Sequence, residues 1–142
     1  MIRLEPVIRS LPDGFAALRA EARGEGFRML DVLNADWLAG TVRFDRDGER
    51  LLAGYWDEEL AGIGGLTIDP YVAGAFRMRR FYVRAAHRRC GMGAALAATL
   101  LALPGPADRL VTVNVGRGSA DFWQALGFVA DAAARHTHIY RR

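Results

Sequence analysis

Residues 81–103 read FYVRAAHRRCGMGAALAATLLAL, and no other stretch restricts the possible folds of this chain as strongly. Phe81, Tyr82 and Val83 are aromatic or β-branched and predict a strand end. Residues 84–90 are too polar and too cationic for a core element. Gly91 and Gly93 bracket Met92. From Ala94 onward, Leu96, Leu100 and Leu103 recur at spacings of four and three, which is one face of a helix. A strand, a basic loop with glycines and a helix therefore follow one another. The N-terminus of such a helix carries four unpaired backbone N–H groups and a partial positive charge. Glycines there let a ligand approach the backbone closely. Arginines in the preceding loop complete an anion site suited to phosphate or pyrophosphate. The competing reading is a plain turn whose glycines are steric and whose arginines face water. A Walker loop is excluded because no Gly-x4-Gly-Lys-[Ser/Thr] occurs, and a Rossmann fingerprint because no third glycine follows at the right place.

Composition bounds the rest. At 142 residues, 51% of them hydrophobic, the chain makes one globular domain spanning 1–142. All 19 basic residues are arginine, which points to a GC-rich, bacterial coding background, and the formal charge is only +3. Its distribution says more. Residues 70–107 hold no Asp or Glu, whereas Arg77, Arg79, Arg80, Arg84, Arg88 and Arg89 all fall there. A local cationic field should surround the glycine loop. One cysteine excludes an internal disulfide, no leader segment is recognisable, and residues 94–103 are too short an apolar run to span a membrane. A cytoplasmic location is the expectation.

In chain order, residues 2–8 carry Pro6 and predict an edge strand at best. Residues 11–14 are a turn, 15–23 and 27–38 two helices broken by residues 24–26, and 50–56 and 60–69 two strands of a hairpin with the solvated acidic tip Asp57-Glu58-Glu59. Gly62, Gly64 and Gly65 inside a strand signal close backbone approach or a bend. Residues 77–83 form the next strand. Met78 and Phe81 would lie on opposite faces of a flat strand, so one extra residue, a β-bulge, is needed to bring them together. Long arginine stems covering the other face would make the bulge unnecessary. Residues 104–108 stop the long helix. Residues 110–115 are a strand. Ser119 is an N-cap for a helix over 120–126, ended by Gly127. Residues 128–130 and 136–140 read as a hairpin around 131–135, although the alanine-rich connection could be helical.

Arg88-Arg89-Cys90-Gly91-Met92-Gly93 resembles the Arg/Gln-x-x-Gly-x-Gly/Ala signature of the GCN5-related N-acetyltransferases (GNAT). Gly62 to Leu66 resembles that family's third strand, Met78-x-x-Phe81-x-Val83 its fourth, and Phe122-Trp123-x-x-x-Gly127-Phe128 its Phe-Tyr-x-x-x-Gly-Phe motif. The resemblance covers roughly residues 50–130. It implies a single-domain α/β (α+β) fold, with a mixed, mostly antiparallel twisted sheet of six to seven strands, about four flanking helices, and a splay between strands 4 and 5. It further implies acetyl-CoA as cosubstrate and transfer of the acetyl group to a primary amine of a small molecule or peptide. By the same resemblance the pyrophosphate would rest on Arg88, Arg89, Cys90, Gly91, Met92, Gly93 and Ala94, with Tyr82, Val83, Asn114 and Phe122 completing the CoA site. Tyr82, Val83 and Trp123 would surround the oxyanion and the thiol, and residues between the first two helices would wall the acceptor site.

Three positions depart from the family pattern. Arg79 and Arg80 stand on the fourth strand, where the family often has a glutamate base. Candidate bases are then Asp69, Glu25, Glu21 and His138, or a backbone carbonyl with water. Trp123 stands where the family has a tyrosine, and an indole N–H donates a hydrogen bond without transferring a proton. The family's CoA-contacting asparagine aligns with Gly116, and Asn114 matches only with an insertion. Glu21, Glu25, Asp31 and Asp36 could face an incoming ammonium, or be solvated helix acids. Cys90 as a nucleophile would need a histidine and an orienting group. His136 and His138 share a strand face, but a metal site needs a third ligand that the sequence does not offer. Two other classes compete: a non-catalytic acyl-CoA-binding module, and a nucleic-acid binder using the arginines, which leaves the glycine loop unexplained. An edge strand paired between subunits would make a homodimer.

Overall fold

The computed structural model describes residues 1–106 and 108–141. Ala107, within the 104–108 helix stop, and Arg142, the end of the expected domain, lie outside the described residues. Seven strands form one sheet in the order β1-β2-β3-β4-β5-β7-β6. They are β1 (Ile2–Pro6), β2 (Arg50–Trp56), β3 (Glu59–Ile68), β4 (Phe76–Val83), β5 (Leu110–Val113), β6 (Val129–Ala133) and β7 (His136–Arg141). Every neighbouring pair is antiparallel except β4 with β5. The helices are α1 (Phe15–Gly24), α2 (Met29–Ala39), α3 (Met92–Leu101) and α4 (Ala120–Ala125), with a 3₁₀ turn at Ala85–His87. No helix among the described residues is long and apolar enough to cross a membrane.

The sheet separates two cores. Leu18, Leu30, Leu33 and Trp37 of α1 and α2 pack on Leu51, Ile63 and Tyr82. Leu96 and Leu100 of α3 and Trp123 of α4 pack on Leu66, Met78, Val111 and Val113. Strand alternation supplies both faces, as expected for a sheet buried on two sides.

The bulge in β4 is present. Gly65 pairs with Arg79 while Ile63 pairs with Tyr82, so Gly64 faces both Arg80 and Phe81. Arg80 takes φ +62° to make the step. As a result Met78, Phe81 and Val83 all pack toward α3, whereas Tyr82 joins the α1–α2 core. The glycines of β3 mark close approach, of the Tyr82 backbone carbonyl and the Met92 side chain at Gly62 and of rings at Gly64 and Gly65. A Cβ on Gly64 would lie 2.7 Å from the Phe81 ring, and the Phe44 ring fills the corresponding place over Gly65.

Other expectations shift in detail. The connection after Val129 is strand, not helix, and β6 and β7 meet in a two-residue turn with positive φ at Ala134 and Arg135. Ser119 sits at the N-cap of α4, but its hydroxyl donates back to Gly116 O at 2.9 Å and caps no helix N–H. The acidic β2–β3 tip is paired as well as solvated: Glu59 meets Arg84 at 2.6 Å and Asp57 meets the terminal amine at 3.2 Å.

Candidate active site

Strands β4 and β5 pair only from Phe76–Met78 to Val111–Val113, and beyond Met78 they part. The bulge turns β4 away, and β5 ends at Val113. The split opens into a cleft of about 1150 Å³. It is bounded by β4, the 84–91 loop, the start of α3, the 114–119 loop, the α1–α2 connection and the β6–β7 turn.

One end of the cleft is the glycine loop. Gly91 precedes α3 with φ +89°, a conformation that costs any residue with a Cβ. The first turn of α3 then presents the backbone N–H groups of Met92, Gly93 and Ala94, which have no intrahelical acceptor. A Cβ on Gly93 would come 3.0 Å from the Phe122 ring, so this glycine lets α4 close against α3. Arg89 has φ +61° and is exposed. Arg88 behaves otherwise than a phosphate-facing arginine. Its Nε donates to Val83 O at 3.0 Å and its Nη1 to Glu25 at 3.0 Å, tying β4 to the α1–α2 connection. The Cys90 thiol donates to His87 O at 2.6 Å and packs against the α3 core rather than lining the cleft.

The middle of the cleft is Val83. The N–H of Arg84 bonds to Ala61 O on the β3 side. By the two-residue alternation of a strand, the N–H and C=O of Val83 turn the other way, into the split. Trp123, Phe122 and Phe81 lie beside it, with Trp123 edge-on to both neighbours at 4.9 Å between centroids. Asn114 and Gly116 both border the cleft, so the two alignments of that loop need not compete.

The wall of α1 and α2 holds a coupled group. The Tyr82 hydroxyl donates to Glu21 at 2.8 Å and to Glu25. Burial and the two carboxylates push the Tyr82 phenol well above its ordinary range. Burial opposes ionisation of Glu21, but the Ala85 N–H, the Tyr82 hydroxyl and Arg84 outweigh it and lower its pKa. Hydrogen bonds from Arg88 and Tyr82 lower that of Glu25. Both carboxylates are therefore ionised and engaged. The four helix acids are all paired with arginine: Glu21 with Arg84, Glu25 with Arg88, Asp36 with Arg80, and Asp31 with Arg19, Arg23 and Arg28.

Of the base candidates, neither Asp69, Glu25, Glu21 nor His138 lines the cleft. Asp69 is buried under the sheet, where it accepts from Thr112 at 2.6 Å, from Tyr71 N at 2.7 Å and from Arg77 at 3.3 Å. Burial raises its pKa, but these donors win and hold it low. His138 is buried on β7, with Nδ1 2.9 Å from Thr137 Oγ1. Among the described residues no three His, Cys, Asp or Glu side chains gather as metal ligands do.

Tyr82, Val83, Trp123, Arg88, Arg89, Gly91, Met92, Gly93, Ala94, Asn114 and Phe122 all line the cleft. Sequence reasoning missed Phe27 and Arg117, which close the cleft from opposite sides: Arg117 lies over the Phe27 ring and donates to Glu25 O at 3.3 Å. It also missed Tyr71, Arg79, Arg80 and Arg135, which line the cleft as well, with Arg135 over the Tyr71 ring. The run of arginines without acids was the available signal there.

Solved structures share this architecture. A protein of Exiguobacterium sp. 255-15 matches with a TM-score of 0.84 at 21% identity, over 99% of this chain and 93% of its own. The Bacillus subtilis N-acetyltransferase YlbP, solved in complex with coenzyme A, matches with a TM-score of 0.62 at 16% identity, over 100% and 97%. A GNAT family acetyltransferase from Elizabethkingia anophelis, solved with acetyl-CoA bound, matches with a TM-score of 0.60 at 14% identity, over 92% and 78%. At such identities the likeness is one of fold. Comparison with curated proteins found no match. The family model described as an acetyltransferase (GNAT) domain matches residues 19–138, which takes in the split sheet and the glycine-led α3, and the chain belongs to the GNAT acetyltransferase family.

Proposed function

We propose that this protein transfers the acetyl group of acetyl-CoA to a primary amine of a small molecule or peptide, by direct attack within one cleft. The observation that carries the reading is the continuity of the split. It runs from the inward N–H of Val83 to the open N-terminus of α3 behind Gly91. The residues fit the cosubstrate: amides and Arg89 at the α3 end suit a pyrophosphate, and the narrow apolar middle between Val83 and Phe122 suits a pantetheine arm. Bound there, acetyl-CoA would supply an activated thioester carbonyl.

The Val83 N–H is then the donor aimed at the oxygen where negative charge develops. The amine nitrogen bonds to the acetyl carbon, the C–S bond breaks, and the sulfur leaves as thiolate. Tyr82 is held by two carboxylates and does not serve as its acid. Trp123 offers a hydrogen bond at most. A thiol pKa of about 8.5 makes this departure tolerable without an acid. No carboxylate lines the cleft among the described residues, so the amine's proton passes to water beside a backbone carbonyl. The arginines help, because cations near an ammonium lower its pKa and favour the neutral nucleophile.

The absence of a carboxylate in the lining also favours a second reading, a non-catalytic acyl-CoA-binding module. Release of free CoA thiol on adding a panel of primary amines to protein and acetyl-CoA decides between them. Amine-dependent release supports transfer. Acetyl-CoA binding with no release for any amine supports the binding module. Arg77, Arg79, Arg80, Arg88 and Arg89 of the basic stretch line the cleft together with the glycine loop, which a nucleic-acid role leaves unexplained. A cytoplasmic location and a homodimer formed through an exposed sheet edge belong to the same proposal.

A further inference from the structure

Eight arginines line the cleft, and among the described residues no Asp or Glu does. The α3 end accounts for part of that charge, since a pyrophosphate would meet Arg89 and the loop amides there. The opposite end is not accounted for. Arg79 and Arg80 are adjacent at the bulge of β4, Arg80 reaches Asp36 of α2, and Tyr71 and Arg135 line the same cleft. Arg79 and Val83 pair with Gly65 and Gly62, three steps apart on β3, so they lie on the order of 10 Å from each other at about 3.3 Å per residue. That is the acceptor's side of the reacting carbonyl, away from the loop.

These cations are poorly compensated. The helix acids that might have neutralised them are engaged elsewhere: Glu21 by Arg84, Glu25 by Arg88 and Asp31 by three arginines of its own wall. Arg80 keeps one carboxylate, Asp36, at 3.5 Å, with its side chain only 16% exposed. Burial and the neighbouring Arg79 both disfavour its charge, and Asp36 offsets them only in part. The guanidinium of Arg135 spends one N–H on Tyr71 Oη at 3.3 Å and stacks over the same ring. A guanidinium has five donors in a planar fork, so Arg80 keeps donors beyond the one that meets Asp36, and Arg79 lines the same cleft. An anionic group entering the cleft would gain charge-assisted hydrogen bonds from these guanidinium groups.

We infer that the acceptor is an amine that also carries an anionic group, a carboxylate or a phosphate, and that Arg79, Arg80 and Arg135 hold that group while the amine faces Val83. This rests on the transfer reading above and names the substrate class of the same site. It also reconciles two demands. A cationic wall repels an ammonium and so favours the neutral nucleophile, but it would repel a simple amine altogether, and an anionic handle restores binding.

Matched acceptors test the inference. β-Alanine is compared with β-alaninamide, and O-phosphoethanolamine with ethanolamine, each by CoA release and by calorimetric titration into the acetyl-CoA complex. The expected result is a preference of tenfold or more for the anionic member of at least one pair, in kcat/KM or in Kd. The pair that shows it tells carboxylate from phosphate. In Arg79→Gln and Arg135→Gln, checked for folding by circular dichroism, the ratio between the two members should fall toward one. Equal handling of both members in both pairs, or a preference for the neutral member, overturns the inference and leaves transfer intact. Failure of acetyl-CoA itself to bind overturns the transfer reading instead, and the titration sees that separately.

Discussion

Asp69 and Glu25 show how one residue type takes different energetic roles. Asp69 is fully buried, and Arg77 beside it is 8% exposed, so each compensates a charge that water cannot reach. Removing one partner strands the other. Asp69→Ala should therefore lower the unfolding free energy by about 3 to 5 kcal/mol, read by urea denaturation. Glu25 and Arg88 are 31% and 41% exposed, and breaking that pair should cost under about 1 kcal/mol. Both acids have depressed native pKa values, as has Glu21. The unfolded chain therefore binds more protons than the native one in the acid range, and stability rises with pH there. The stabilisation is complete above the ordinary carboxylate values of 3.8 and 4.5 and is lost as pH falls through the lower native ones. The melting temperature should be flat above about pH 5 and should fall steadily below it. A melting temperature that rises on acidification to pH 3 would contradict these pairings. The catalytic pH dependence has a different origin. With no carboxylate in the cleft lining among the described residues, log kcat/KM should rise with slope one up to the acceptor amine's own pKa and should shift when amines of different pKa are compared. A limb fixed at one pH for every amine would assign the proton to an enzyme group.

The bulge of β4 and the glycines of β3 act as one device at the scale of elements. The added residue at Arg80 aims Phe81 and Val83 at α3 and turns Tyr82 toward α1, and the missing side chain at Gly64 makes room for the Phe81 ring. Gly64→Ala should cost about 1 to 3 kcal/mol, because a Cβ 2.7 Å from that ring forces Phe81 to move. Since Phe81 packs edge-on to Trp123, acetyl-CoA affinity should fall as well, and calorimetry checks the pairing of the two effects. The bulge was legible in the sequence because the parity of Met78 and Phe81 is local. The purpose of Gly64 and Gly65 was not, because the rings that fill their places come from Phe81 on the next strand and Phe44 in a loop. The start of α4 follows the same rule: position alone makes Ser119 a cap, whereas Gly116 O captures its hydroxyl.

Across the whole molecule, a sheet packed on both faces opens at a single seam, and that seam gathers the chemistry. Residues 81–103 disclosed its α3 end because strand, loop and helix follow one another directly. The sequence leaves the α1–α2 acids either solvated or facing an ammonium, because their partners lie far along the chain; Tyr82 and Glu21, for instance, are 61 positions apart. Tyr71 and Arg135 stayed hidden for the same reason, since they are 64 positions apart and meet only through tertiary folding. The central claim is that the seam holds acetyl-CoA with its pyrophosphate on the first turn of α3, and calorimetric titration with acetyl-CoA of the wild type and of Gly91→Asp tests it most directly. The variant places a carboxylate and a Cβ where φ is +89° and the phosphates would lie. Wild-type binding weakened at least tenfold in a folded Gly91→Asp variant is the predicted result. A folded wild type that does not bind, or a variant that binds as the wild type does, would contradict the account.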